Sequence, residues 1–162
     1  VSAARCVRLL CRDGHMGAVG CVAWSPKGNF LSSGGDDATV ILWQLDGGGS
    51  CAALRRLVAH TKPVWALSWS VCGQQLASGG ADCSVVVWDA GRASSHAPPA
   101  AAAADGEQPF AVSQVIDAAA DEEGGGGRIL LRKLHTKYTP VCALRYGRTN
   151  LLYSAGEFRP PP

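Results

Sequence analysis

No apolar run in this sequence comes near the roughly 18 residues that a membrane-crossing helix needs; the longest, such as Val85-Val86-Val87-Trp88 and Ile129-Leu130-Leu131, have the length of strands. Among the seven cysteines (Cys6, Cys11, Cys21, Cys51, Cys72, Cys83 and Cys142) no two form a C-x-x-C pair. An odd number without that spacing argues against a disulfide framework and a zinc ribbon alike. The thiols therefore read as small buried apolar side chains in a reducing compartment. Four dispersed histidines and no clustered carboxylates offer no metal site at a recognised spacing. None of the glycine groups matches a phosphate-binding loop, so no cofactor is expected. Lysine and arginine come singly or in pairs such as Arg55-Arg56 and Arg132-Lys133, and the net charge is only +2. Without a dense basic run there is no case for direct nucleic-acid contact. The chain starts at Val1 with neither an initiator methionine nor a charged-then-apolar leader, which suggests a piece of a longer cytosolic or nuclear product.

What the sequence does contain is a globular balance, 47% hydrophobic and 17% charged over 162 residues, and an internal repeat. The segment from His15 to Gly28 aligns without a gap on the segment from His60 to Gly73, at an offset of 45 residues. The match continues through Leu31 with Leu76, Ser33-Gly34-Gly35 with Ser78-Gly79-Gly80, Asp37 with Asp82, Val40 with Val85 and Trp43 with Trp88. Trp88 is followed by Asp89, whereas Gln44 follows Trp43. A period of this length is that of one four-stranded propeller blade.

Turn chemistry divides each unit into short strands. Val19 to Trp24, Phe30 to Ser33 and Thr39 to Trp43 read as three strands separated by Ser25-Pro26-Lys27-Gly28 and Gly34-Gly35-Asp36-Asp37, with an outer strand near Ala52 to Leu57. Val64 to Trp69, Gln75 to Ser78 and Ser84 to Trp88 repeat the pattern, and nothing reads as a long helix. Residues 91–128 differ in composition, with Pro98-Pro99, five alanines from Ala100 to Ala104, Asp121-Glu122-Glu123 and four glycines from Gly124 to Gly127. Such a segment buries too little to offset its ordering entropy and reads as a solvated insertion, Phe110 to Ile116 being its one ordered piece. Ile129 to Leu134 then supplies the outer strand of the second unit. Thr136 to Val141 restarts the repeat, Leu144 and Tyr146 take the places of Leu67 and Trp69, and Gly156 is assigned the place of Gly79. The expected organisation is 1–90 blades, 91–128 insertion, 129–159 outer strand and terminal partial repeat, and 160–162 tail. The expected fold is an all-β WD-repeat β-propeller fragment, two complete blades plus partial blades of a seven-bladed ring.

His15, Ser33, Asp37 and Trp43 recur as His60, Ser78, Asp82 and Trp88. Each set contains the residue types of a Ser-His-Asp hydrolase. A constellation repeated once per stacked unit is structural, however, because an enzyme needs one site. These residues resemble the WD-repeat family, in which the turn Asp orients the His and the hydrogen-bond chain ends at the Trp indole; the resemblance implies two structural tetrads and no catalysis. In the third unit Thr136, and not His135, falls near the tetrad position, and His96 lies in the insertion. If the strands fall as read, Met16, Asp36, Lys62 and Ala81 lie at loop tips beside the tetrads and are candidates for facing a partner.

The terminal repeat is more individual than the consensus. Gly14 to Val19, Leu76 to Gly80, and above all Thr136-Lys137, Thr139-Pro140-Val141, Arg148, Asn150-Leu151-Leu152 and Ala155-Gly156 are similar to the C-terminal end of the WD-repeat domain of the TFIID subunit 5 family, which also occurs in SAGA-type coactivators. Gln44 in place of an Asp and Ala59 in place of a Gly before the His depart from that pattern. The resemblance implies a non-enzymatic nuclear scaffold without membrane contact. It would dock histone-fold subunits of TFIID or SAGA for RNA polymerase II initiation. The alternative is an interaction module of another complex, in ribosome biogenesis or ubiquitin-ligase substrate reading.

Overall fold

The computed structural model describes residues 14–45, 51–95, 115–117 and 129–157. Its strands form three sheets of the kind that blades make. The first contains β1 (Val19–Trp24), β2 (Phe30–Gly35), β3 (Thr39–Leu45) and β4 (Cys51–Val58), hydrogen-bonded in that order and antiparallel throughout. The second contains β5 (Val64–Trp69), β6 (Gln75–Gly80) and β7 (Ser84–Asp89) and is completed by β9 (Leu130–His135), which follows the long insertion. The third is the pair β10 (Val141–Tyr146) and β11 (Leu152–Gly156).

Local chemistry explains the repetition. β3 is the run Thr39, Val40, Ile41, Leu42 and Trp43, all buried, and β-branched and aromatic residues favour a pleated strand packed on both faces. The β1–β2 turn closes through the Gly28 amide donating to Ser25 O at 2.9 Å, with Gly28 at φ 73°, and the β5–β6 turn repeats it with Gly73 and Ser70. In the third unit Asn150 holds the same place at φ 60°, the non-glycine residue type best suited to the left-handed region. Bulges recur at matching positions of the inner strands, between Val19 and Cys21, Val64 and Ala66, and Val141 and Ala143. One core of Val40, Leu42, Leu57, Val64, Trp69 and Leu76 runs across the first two blades.

Two features lie inside the segment assigned to the insertion. Residues 91–95 belong to a short helix, α1 (Ala90–Ser95), where composition had suggested solvated chain. The Asp89 carboxylate accepts from the Arg92 amide at 3.0 Å, as an N-cap does, and Ala90 and Ala93 share one buried face. Short β8 (Val115–Asp117) pairs in parallel with β4 through Arg56 with Val115, Leu57 with Ile116 and Val58 with Asp117. Residues 96–114 and 118–128 of the expected insertion, and the tail at 160–162, lie outside the described residues.

Candidate functional site

The β2–β3 and β6–β7 turns each hold an aspartate under the loop that enters the blade, and from it runs a continuous chain of hydrogen bonds. In the first blade the Trp43 indole N–H donates to Ser33 Oγ at 2.8 Å, Ser33 Oγ lies 2.8 Å from His15 Nε2, and His15 Nδ1 lies 2.9 Å from Asp37 Oδ1. In the second, Trp88 Nε1 donates to Ser78 Oγ at 2.9 Å, Ser78 Oγ is 2.8 Å from His60 Nε2, and His60 Nδ1 is 3.0 Å from Asp82 Oδ1. One arrangement of protons satisfies each chain. The serine hydroxyl accepts from the indole and donates to Nε2, which makes the histidine neutral with its proton on Nδ1, facing the carboxylate.

Two hydroxyls that the repeat comparison passed over complete the network. Thr39 Oγ1 donates to Asp37 Oδ1 at 2.8 Å and Ser84 Oγ donates to Asp82 Oδ1 at 2.7 Å. Their sequence signal was available: a hydroxyl residue stands two places after the aspartate in both repeats. Each aspartate also fixes the entering loop, since the Met16 amide donates to Asp37 Oδ2 at 2.8 Å and the Thr61 amide to Asp82 Oδ2 at 3.1 Å. Cations of the fourth strand of each blade reach the residue just before each histidine: Arg56 Nη2 donates to Gly14 O at 2.6 Å and lies 3.6 Å through Nη1 from Asp37, while Lys133 Nζ donates to Ala59 O.

Electrostatics follow from this geometry. Burial works to raise the Asp37 carboxyl, but hydrogen bonds from His15, the Met16 amide and Thr39 outweigh it and hold the group at about 2. Asp82 is lowered in the same way, burial being overcome by Ser84, His60 and the Thr61 amide. Burial pushes His60 below the ordinary histidine value despite the Asp82 carboxylate. Ser33, Ser78 and His60 are buried, and each serine is engaged by an indole and an imidazole. A nucleophile needs a free approach to its oxygen; these hydroxyls sit inside packed blades. Among the described residues no three of His, Cys, Asp and Glu gather as a metal cluster, and no helix is long and apolar enough to cross a membrane.

The third unit lacks the histidine and the chain. His135 ends β9 on the surface, and Thr136 Oγ1 donates to Cys83 O at 3.0 Å, tying the restart of the repeat to the second blade. The strand register corrects one alignment: Val141 pairs with Gly156 as Val64 pairs with Gly80, so Gly156 takes the place of Gly80, and Ala155 that of Gly79. The bulge is common to all three units, but the β10–β11 turn is one residue shorter: Tyr146 pairs with Leu152 where Trp69 pairs with Leu76, and a comparison without gaps does not see that. The same register puts Ser154 in the place of Ser78. Of the residues expected to face a partner, Met16, Asp36 and Lys62 are exposed and Ala81 is half-buried. Asp36 and Ala81 occupy equivalent loop positions, their amides donating to Ala18 O and Pro63 O at 2.9 Å.

Comparison with known proteins agrees with this geometry. Residues 5–44 and 51–89 each match the family described as WD domain, G-beta repeat. Protein HIRA of Xenopus laevis is 44% identical over 41 residues, 25% of this chain and 4% of that protein. A probable cytosolic iron-sulfur protein assembly protein 1 of Cryptococcus neoformans is 41% identical over 49 residues, 28% of this chain and 11% of that protein. The matches thus span a small fraction of these relatives. Among solved structures, the Cps50 (Swd1) β-propeller domain of Myceliophteria thermophila superposes with a TM-score of 0.56 at 25% identity, covering 88% of this chain and 34% of that one. U3-55K gives 0.60 at 18% identity with the same coverage, a likeness of fold. The chain is a WD40 repeat domain, two complete blades and part of a third from a β-propeller.

Proposed function

We propose that this WD-repeat interaction module is a non-enzymatic scaffold whose exposed loops dock protein partners while the two tetrads hold those loops in place. The observation that carries the reading is the pair of hydrogen bonds from the Met16 and Thr61 amides to the tetrad carboxylates, which couple a buried network to exposed loop backbone. Blade edges and loops present a fixed surface, and fixed surfaces bind at low entropic cost. The partners we assign are histone-fold subunits of TFIID or SAGA, in the nucleus, on the strength of the terminal repeat from Thr136 to Gly156 and its likeness to the TFIID subunit 5 family. A module of a different complex is the second reading, favoured by the similarity of short stretches of this chain to proteins as varied as HIRA and a cytosolic iron-sulfur protein assembly protein.

Affinity purification of the full-length protein separates the two. Recovery of TFIID or SAGA subunits supports the first reading; recovery of another complex without them rejects it. Charge reversal at Asp36 and Lys62 together then tests the surface: capture weakens by about 1 to 3 kcal/mol if these residues lie in an interface core, and hardly changes if they lie at its rim.

A further inference from the structure

The insertion between β7 and β9 leaves the second blade and returns to it, yet the strand it contributes, β8, belongs to the sheet of the first blade. Its course begins in α1, where the Ala90 and Gly91 amides donate to Gln74 O of the second blade at 2.8 and 3.2 Å. Ala93 O then accepts from Arg55 Nε of β4 at 2.7 Å, which leads the chain toward the first blade. There β8 runs parallel to the end of β4, with Arg56 opposite Val115, Leu57 opposite Ile116 and Val58 opposite Asp117.

A propeller blade is complete with four strands, so β8 is an added fifth. Its placement is that of an extended peptide bound to a sheet edge, where main-chain hydrogen bonds supply the affinity and side chains the selection. Val115 and Ile116 are β-branched and suit a strand. Cations mark both ends of the three paired residues. Arg56 stands at one end, and at the other Val58 precedes Ala59, whose carbonyl accepts from Lys133 Nζ. The register puts Asp117, the one charged residue of β8, at the Val58 end.

We propose that residues 56–58 of β4 are a binding site for an extended segment of a partner protein, and that Val115–Asp117 fills this site in cis as a built-in competitor. The partner segment adds in parallel and carries β-branched apolar residues followed by a carboxylate. A tethered strand acts at an effective concentration on the order of millimolar, so a free segment gains the site only when it outcompetes the resident one or when the insertion is drawn away. The site is a strand edge and not one of the loops assigned to partner docking above, so it stands whichever complex the protein joins.

The probe is the synthetic peptide of residues 110–119 carrying a fluorophore, titrated by anisotropy into the complete propeller that carries this chain. Val115→Pro/Ile116→Pro/Asp117→Pro leaves the resident strand without an amide donor. A second variant replaces residues 96–128 by a glycine–serine segment of equal length, so that a folding defect in one variant leaves the other to be read. Far-UV circular dichroism and a cooperative urea transition confirm the fold of each. Both variants are expected to bind the peptide about tenfold or more tighter than the parent, because the site is no longer filled in cis. Hydrogen exchange at residues 56–58 is expected to speed up in the variants and to slow again with peptide. The same peptide with proline at its three pairing positions does not bind. The proposal is overturned if a folded variant binds the peptide no more tightly than the parent, if the proline peptide binds as well, or if peptide leaves exchange at residues 56–58 unchanged.

Discussion

Replacing Asp82 by alanine measures what a tetrad contributes. Four donors converge on its carboxylate: His60 Nδ1 at 3.0 Å, the Ser84 hydroxyl at 2.7 Å, the Ser84 amide at 3.2 Å and the Thr61 amide at 3.1 Å. Thr61 is exposed and its amide recovers a water partner. His60 and Ser84 are buried, and a buried donor left without an acceptor costs roughly 1 to 3 kcal/mol. The Ser84 hydroxyl lies 3.2 Å from His60 Nδ1 and can accept from it after rotation, which removes one of the three buried orphans and leaves a total of about 2 to 6 kcal/mol. Urea unfolding of the complete propeller that carries this chain reads the loss as a lower midpoint at unchanged slope. An unchanged midpoint would refute the structural role given to the tetrad. A large loss in Asp82→Asn as well would show that the charge, and not one accepting oxygen, carries the effect.

Gly79→Ala places a methyl against Val141 and is expected to cost about 1 to 3 kcal/mol by overpacking; most of that returns in the double variant with Val141→Ala, and a purely additive cycle would disprove the contact. Acidification has a defined sign. The Asp37 carboxyl sits at about 2 in the fold, below its unfolded value, so the unfolded chain takes up the proton more readily. Its stabilisation is complete above about pH 4 and is lost as the pH falls through about 2. His60 is also depressed, so its share is present above roughly pH 6.5 and declines below it. A stability profile that rises on acidification from pH 7 to 5 would contradict the burial of a neutral His60.

The 45-residue period made the blades legible, because apolar strands, turn glycines and tetrad residues all repeat at one offset. Eight of the strand positions read from the sequence differ from the observed ones by no more than the fraying at their ends, Gln75 to Ser78 extending to Gly80 being typical. Less legible were features that depend on partners distant in sequence. The Ser84 and Thr39 hydroxyls carry a local signal, but Arg56 and Lys133 reach Gly14 and Ala59 across 42 and 74 residues, and no spacing announces that. The β10–β11 turn is one residue shorter than the β5–β6 turn, Tyr146 pairing with Leu152 where Trp69 pairs with Leu76, which displaced Gly156 by one place. Helix α1 was hidden because its six residues, with Gly91 among them, are too few to hold a helix in isolation; it forms where Asp89 caps it and where Arg55 Nε donates to Ala93 O at 2.7 Å.

The outermost strands differ in a way that bears on aggregation. A sheet edge offers unpaired amides and carbonyls to any passing extended chain. In the first blade β8, returning from the insertion of the second blade, pairs with Arg56, Leu57 and Val58 and turns that stretch of edge into an interior. The second blade has no such cover among the described residues, and its edge strand β9 carries Arg132, exposed, and Lys133 instead. Cations on an edge repel a like strand and cost desolvation to any that pairs. Neutralising Arg132 and Lys133 therefore makes β9 the nucleus from which misassembly starts, while the same change at Arg56 leaves the guarded edge of the first blade soluble.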